Sequence, residues 1–243
     1  MQQLGHTRGA HARNYLLHTP DTFVRAPLPG MRAATAIVHV ASAGGARFAQ
    51  YTVEFEAGGQ FAPSDDGVVA QRFLYVLGGE LTVGADRLGA GDFAYLPPGD
   101  TSVIASTGAS RAAVIEKAYQ PLAGTPPQGR FVGRESTTPA THMNDDPWLE
   151  VRGLVPDTAA CDFRVNTMTY QPGASLPAVE SHVMEHGLLM LEGGGIYRLG
   201  DGWYPVAAGD FIWMAPYCPQ WFGALGKTAA KYLIYKDWAR HAR

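Results

Sequence analysis

Short apolar runs separated by turn formers set the rhythm of this chain. Residues 73–77 (FLYVL) and 188–191 (LLML) are each broken by glycines, at 78–79 and 193–195, and a stretch of alternating apolar and polar positions follows each. Next come a polar turn, then Ala-Gly-Asp-Phe (Ala90 to Phe93; Ala208 to Phe211), then a second apolar run. Short runs rich in Val, Ile, Tyr, Phe and Trp and bounded by Gly or Pro predict β-strands. Gly-Asp before a strand predicts a turn, because Gly adopts positive φ and Asp bonds its own backbone. Helix is expected only as a turn or two near Asp145 to Glu150.

The pattern occurs twice, with an offset of 115 residues at the glycines and 118 at Ala-Gly-Asp-Phe, which marks an internal duplication of a β module. Between the copies, residues 121–130 (PLAGTPPQGR) carry turn formers and no apolar periodicity, so they read as a linker. Evenly spaced strands in a duplicated module predict an all-β chain of two tandem barrels, at 1–120 and 121–243.

Composition narrows the class. At 243 residues the chain is long enough for two cores without covalent staples, and 17% charged residues with 46% hydrophobic ones exclude a disordered chain or a coiled coil. A net charge of −3 gives no basic footprint for nucleic acid. Two cysteines, Cys161 and Cys218, are too few for a disulfide framework or zinc ribbon and are expected as small buried hydrophobes. The arginines near the N-terminus have no apolar segment behind them, and no run approaches the length of a membrane span. A cytoplasmic protein with no membrane or nucleic-acid partner is expected.

The densest polar cluster in an apolar context is residues 179–186, VESHVMEH. As a strand, its period of two puts Glu180, His182 and His186 on one face. Two imidazoles and a carboxylate are costly to bury unless something satisfies them, and a divalent metal does so. A helix would also align His182 and His186, but the H-E-x-x-H of zinc proteases is absent, and Pro177 and the triple glycine favour a strand.

The cluster resembles the first motif of the cupin superfamily, roughly G-x5-H-x-H-x3-E-x6-G. Gly173 leads, Glu180 takes the first His position, His182 the second, His186 the Glu position, and Gly193 closes. The second motif, P-x-G-x2-H, is similar to residues 215–220, with Ala215 at the Pro, Tyr217 at the Gly and Gln220 at the His. The metal set implied is Glu180, His182, His186 and Gln220, harder than three His and one Glu, which suits Mn²⁺, one per chain in the second barrel. Glu-x-His-x3-His with a later Gln resembles the (S)-ureidoglycine aminohydrolases, manganese bicupins of purine (allantoin) catabolism built from two jelly-roll barrels. ESHVMEHG, GGGIYRL, GWYPVAAGDFIWM and KYLIYKD carry the likeness in the second half, and NYLLHTPD, FLYVLGGELTV and YLPPG in the first.

That resemblance implies hydrolysis of (S)-ureidoglycine to (S)-ureidoglycolate and ammonia. It also implies a small-molecule partner and a homo-oligomer, with Glu180 and Lys236 catalytic and Glu180, Tyr197, Tyr232 and Lys236 binding substrate. Sliding the second half onto the first places Asp65 under Glu180, Gly67 under His182, Gln71 under His186 and Ser102 under Gln220, so the first barrel is expected to have lost its metal site. Trp203, Trp213, Trp221 and Phe222 are expected as core or pocket wall. The rival readings are a metal-dependent cupin oxygenase or isomerase acting on another small carboxylate, and a non-catalytic cupin.

Overall fold

The computed structural model describes residues 6–63, 70–238 and 240. Its regular elements are antiparallel strands and four single-turn 3₁₀ segments, with no α-helix among the described residues. No described helix is long and apolar enough to cross a membrane. The helical turn expected near 145–150 is a 3₁₀ turn at Met143–Asp145, and Leu149–Gly153 is a strand. Asn144 and Asp145 have φ of 54° and 59°, which stops an α-helix from propagating.

Two compact units emerge, divided differently from the sequence boundary at 120/121: Met1–Phe23 joins Pro139–Pro156 and Phe163–Arg243, while Val24–Thr138 joins Asp157–Asp162. Strand pairing is the reason. Tyr15–His18, which precedes the first repeat, pairs with Phe211–Met214 of the second. Phe131–Arg134, which precedes the second repeat, pairs with Asp92–Leu96 of the first. Each borrowed strand runs into a 3₁₀ turn, Pro20–Thr22 or Glu135–Thr137, so the borrowed pieces are themselves copies of one module.

The unit holding the second repeat has an eight-stranded sheet in the order Ala10–Ala12, Tyr15–His18, Phe211–Met214, His186–Glu192, Ala230–Asp237, Phe163–Tyr170, Leu149–Gly153, Ala140–His142. A three-stranded sheet of Gly202–Ala207, Gly194–Leu199 and Gln220–Ala224 completes it. Alternate residues of both sheets make one core: Leu188 and Met190, Tyr232 and Ile234, Ile212 and Met214 from the large sheet, with Tyr197, Leu199 and Phe222 from the small one. Tyr170, Tyr197 and Tyr232 group around Phe222 at ring-centre distances of 4.9, 5.6 and 5.7 Å. The other unit is a nine-stranded sheet whose core includes Tyr51, Val53, Leu74, Val76, Ala112 and Val114.

The repeated Ala-Gly-Asp-Phe is built the same way in both units. Gly91 and Gly209 take φ of 80° and 92°. Asp92 Oδ2 accepts the Gly89 N–H at 2.8 Å, and Asp210 Oδ2 accepts that of Ala207 at 2.8 Å. A borrowed segment then donates an arginine fork to each carboxylate, Arg134 to Asp92 at 2.6 and 3.1 Å and Arg8 to Asp210 at 2.6 and 2.7 Å. Bidentate geometry on a buried aspartate fixes the entry of the following strand.

Candidate metal and substrate site

The site lies where the small sheet meets the edge of a chain segment that is not a strand. Glu180 and Gln220 exchange backbone hydrogen bonds at 2.8 and 2.9 Å, forming one isolated bridge. Residues 181–185 then run without strand structure until His186–Glu192 begins. The strand expected across 179–186 therefore fails, and its neighbour supplies the reason. The segment facing it is the turn around Tyr217, whose φ of 63° offers no extended partner. That turn still pins the segment: Tyr217 N–H donates to the His182 carbonyl at 2.8 Å, and Ser181 Oγ donates to the Tyr217 carbonyl at 3.1 Å. The alternation survives without the ladder, because Glu180, His182, Met184 and His186 all line one cavity of about 50 Å³.

This cavity has a buried floor and a partly open rim. His186, Tyr197, Gln220 and Tyr232 form the floor, each no more than 4% exposed. Glu180 and His182 stand on the rim with side chains 31% and 28% exposed. Lys236 lines the cavity as the cross-strand partner of His186. Burial pulls the Lys236 ammonium below its ordinary pKa, and Glu180 partly restores it. Tyr197 OH donates to Gln220 Oε1 at 3.3 Å, and the Tyr232 and Tyr170 hydroxyls share a bond of 2.7 Å. Burial raises the pKa of both cavity tyrosines well above the ordinary value, so each keeps its proton to donate.

The donor set fits a cation. His186 Nδ1 lies 3.2 Å from the Tyr235 carbonyl, which only accepts, so Nδ1 carries the proton and Nε2 presents a lone pair. Burial lowers the pKa of His186 well below, and that of His182 below, the ordinary imidazole value, so both rings are neutral near pH 7. His182 Nε2 sits 3.3 Å from that lone pair and 2.9 Å from the Gln220 amide nitrogen. It can donate to His186 or accept from the amide, but not both. A cation resolves the conflict: both Nε2 atoms become donors to it, and exchanging the amide N and O of Gln220 points an oxygen the same way. Two nitrogens about 2.1 Å from one ion stand roughly 3.0–3.4 Å apart, which the observed 3.3 Å separation matches. Glu180 Oε2 is 3.9 Å from His182 Nε2. Among the described residues no group of three His, Cys, Asp or Glu is placed to hold a metal ion, Glu180, His182 and His186 included.

Other expected residues fall outside the cavity. Trp213 and Phe222 are buried, Trp203 is 56% exposed and meets Trp221 edge-on, and none of the four lines the site. Sequence reasoning missed Leu176, Ile234 and the methionines Met143, Met168 and Met184; for Met184 the alternation from Glu180 to His186 carried the signal.

In the other unit the expected superposition shifts by one residue. Asp65 and Gly67 lie outside the described residues. Gln71 lies on the sheet face opposite the core, bonded to Asp162 and Tyr95, while Ser102 receives a bond from Arg130 at 2.7 Å. The core-facing residue is Arg72, in register with Glu116 as His186 is with Lys236. Arg72 pairs with Glu116 and lies 5.2 Å above the Phe61 ring, so an ion pair occupies the place of an imidazole and a lysine.

A cupin domain model matches residues 166–235, the stretch that carries most of the site. An (S)-ureidoglycine aminohydrolase of Arabidopsis thaliana is 38% identical over 239 residues, 96% of this chain and 78% of that protein. The chain belongs to the (S)-ureidoglycine aminohydrolase family. An (S)-ureidoglycine aminohydrolase of Escherichia coli (strain K12) is 31% identical over 231 residues, 92% of this chain and 88% of that protein. A crystal structure of a protein described as glyoxylate-induced, from Pseudomonas aeruginosa, superposes with a TM-score of 0.89 at 31% identity, covering 100% of this chain and 95% of that one. The fold of that structure is thus shared over both repeats.

Proposed function

We propose that this chain hydrolyses (S)-ureidoglycine to (S)-ureidoglycolate and ammonia, with Mn²⁺ held by Glu180, His182, His186 and Gln220. The supporting observation is a neutral imidazole pair, an amide, a carboxylate and a half-buried lysine around one small cavity, in a chain whose relatives bear that activity in their names. Carboxylate and amide oxygens harden the donor set, which favours Mn²⁺ over Cu or Zn. A divalent cation bound there supplies Lewis acidity and an anchor for a chelating substrate.

The side chains around it divide the remaining work. The Lys236 ammonium pairs with the substrate carboxylate, and its low-dielectric setting strengthens that pairing. Tyr197 and Tyr232 donate hydroxyl protons to the carboxylate or ureido oxygens. Held at three points, the substrate presents one face of its reacting carbon, which sets the stereochemistry. Water's oxygen bonds to that carbon as the C–N bond breaks. Glu180 moves the proton from water to the departing amine, so that ammonia leaves.

The test follows freshly prepared ureidoglycine by NMR and circular dichroism, with protein plus Mn²⁺ against protein plus chelator. One ureidoglycolate enantiomer, formed only with metal, is expected. Racemic product at the uncatalysed rate in both samples would overturn the reading.

A further inference from the structure

Two tyrosine hydroxyls share one bond at the cavity floor, and they are not equivalent. Tyr232 lines the cavity; Tyr170 does not, and it is 0% exposed. They sit on adjacent strands, Tyr170 opposite Ala230 and Tyr232 opposite Met168, which makes them a diagonal pair on the core face. Their rings lie 5.5 Å apart at 38°, and Tyr170 also meets the buried Phe222 edge-on at 4.9 Å. This packing holds the Tyr170 oxygen 2.7 Å from that of Tyr232.

Counting protons gives the bond a direction. Each phenol has one proton to donate, so the shared bond runs one way at a time. Among the described residues, Tyr232 is the only hydrogen-bond partner of the Tyr170 hydroxyl. If Tyr232 donated, the Tyr170 proton would be buried with no acceptor, at the desolvation cost of an unmade bond. If Tyr170 donates, its proton is used, and the Tyr232 proton turns to the cavity, where water or a ligand oxygen accepts it. The second order leaves no buried donor without a partner, so it prevails. Burial keeps both phenols protonated well above neutral pH, so the count of two protons holds. Donation from Tyr170 also polarises the Tyr232 O–H and strengthens the bond that it makes in turn.

Building on the substrate contacts proposed above, we propose that Tyr170 is a positioning residue: its hydroxyl donates to Tyr232 and fixes the Tyr232 proton toward the cavity, making Tyr232 a one-way donor to carboxylate or carbonyl oxygens. The product of the proposed reaction is a 2-hydroxy acid, so glycolate serves as the probe. Its dissociation constant is measured calorimetrically on the Mn²⁺-loaded protein, for wild type, Tyr170→Phe, Tyr232→Phe and the double variant. Tyr170→Phe keeps the ring against Phe222 and removes only the hydroxyl. It is expected to weaken glycolate about five-fold, the net weight of one hydrogen bond. Tyr232→Phe is expected to weaken it about ten-fold or more, as for a bond to a charged group. Because Tyr170 acts through Tyr232, the double variant is expected to match Tyr232→Phe within about two-fold. Penalties that multiply, a Tyr170→Phe variant with wild-type affinity, or a wild type that does not bind glycolate overturns the proposal.

A second measurement needs no substitution. In chelator-treated wild type, NMR of the hydroxyl protons should find that of Tyr170 protected from exchange with water and that of Tyr232 exchanging through the cavity. The reverse order overturns the proposal whatever the variants do. Ureidoglycine turnover is followed separately: a protein that gives this cycle with glycolate but releases no ammonia loses the proposed reaction and keeps the proton order.

Discussion

Two imidazole nitrogens facing each other across 3.3 Å, one on the buried floor and one on the rim, carry a cost that depends on protons. Burial holds the pKa of His186 well below its ordinary value and lowers that of His182. Above pH about 6.5 the folded and unfolded chains are both neutral at these residues, and the shift contributes nothing. Below it, the unfolded chain takes up protons that the folded chain refuses, so stability falls as the pH drops, by up to about 1.4 kcal/mol per pH unit for each histidine. The chelator-treated protein should therefore melt progressively lower between pH 7 and pH 5, and His186→Gln should flatten that slope. An identical slope in the variant would place the acid sensitivity elsewhere.

Elements set how closely these residues can be brought together. Strands Gly194–Leu199 and Gln220–Ala224 carry Tyr197 and Gln220, and at Gly195 a Cβ would stand 2.1 Å from the Gly223 carbonyl oxygen. Gly195→Ala should cost about 1–3 kcal/mol, read as a fall of several degrees in melting temperature, because backbone must move to admit the methyl group. The element scale also shows what the chain reveals in advance. Period-two alternation pointed to Glu180, His182 and His186 although the segment never forms a strand, because an extended chain keeps its alternation with or without a ladder. Met143 could not be read this way: it sits in a turn between His142 and Asn144 at an edge hairpin, where no apolar–polar alternation marks a face. The one-residue shift from Gln71 to Arg72 escaped for a related reason, since sequence offset alone leaves open which face of a strand is the core.

For the molecule as a whole, the duplication was legible and its closure was not. Tyr15–His18 and Phe131–Arg134 look like the leading strands of their own repeats, yet each completes the unit built on the other repeat. Expressed alone, residues 1–120 and 121–243 should each aggregate. In one, Asp92–Leu96 lacks its partner strand; in the other, Phe211–Met214 does, with Ile212 and Trp213 beside an open edge. Co-expression should return a soluble pair, which size-exclusion chromatography would detect; two well-behaved separate halves would contradict the exchange.

The reciprocal strand loan also bears on inheritance. The half that holds Arg72 and Glu116 where its twin has His186 and Lys236 carries an ion pair in place of two residues that line the twin's cavity. Deleting that half from its leading strand onward would nonetheless remove Tyr15–His18 and leave the donor-bearing barrel open at its edge. The two halves are therefore inherited as one, because each keeps its closing strand in the stretch that precedes the other's repeat.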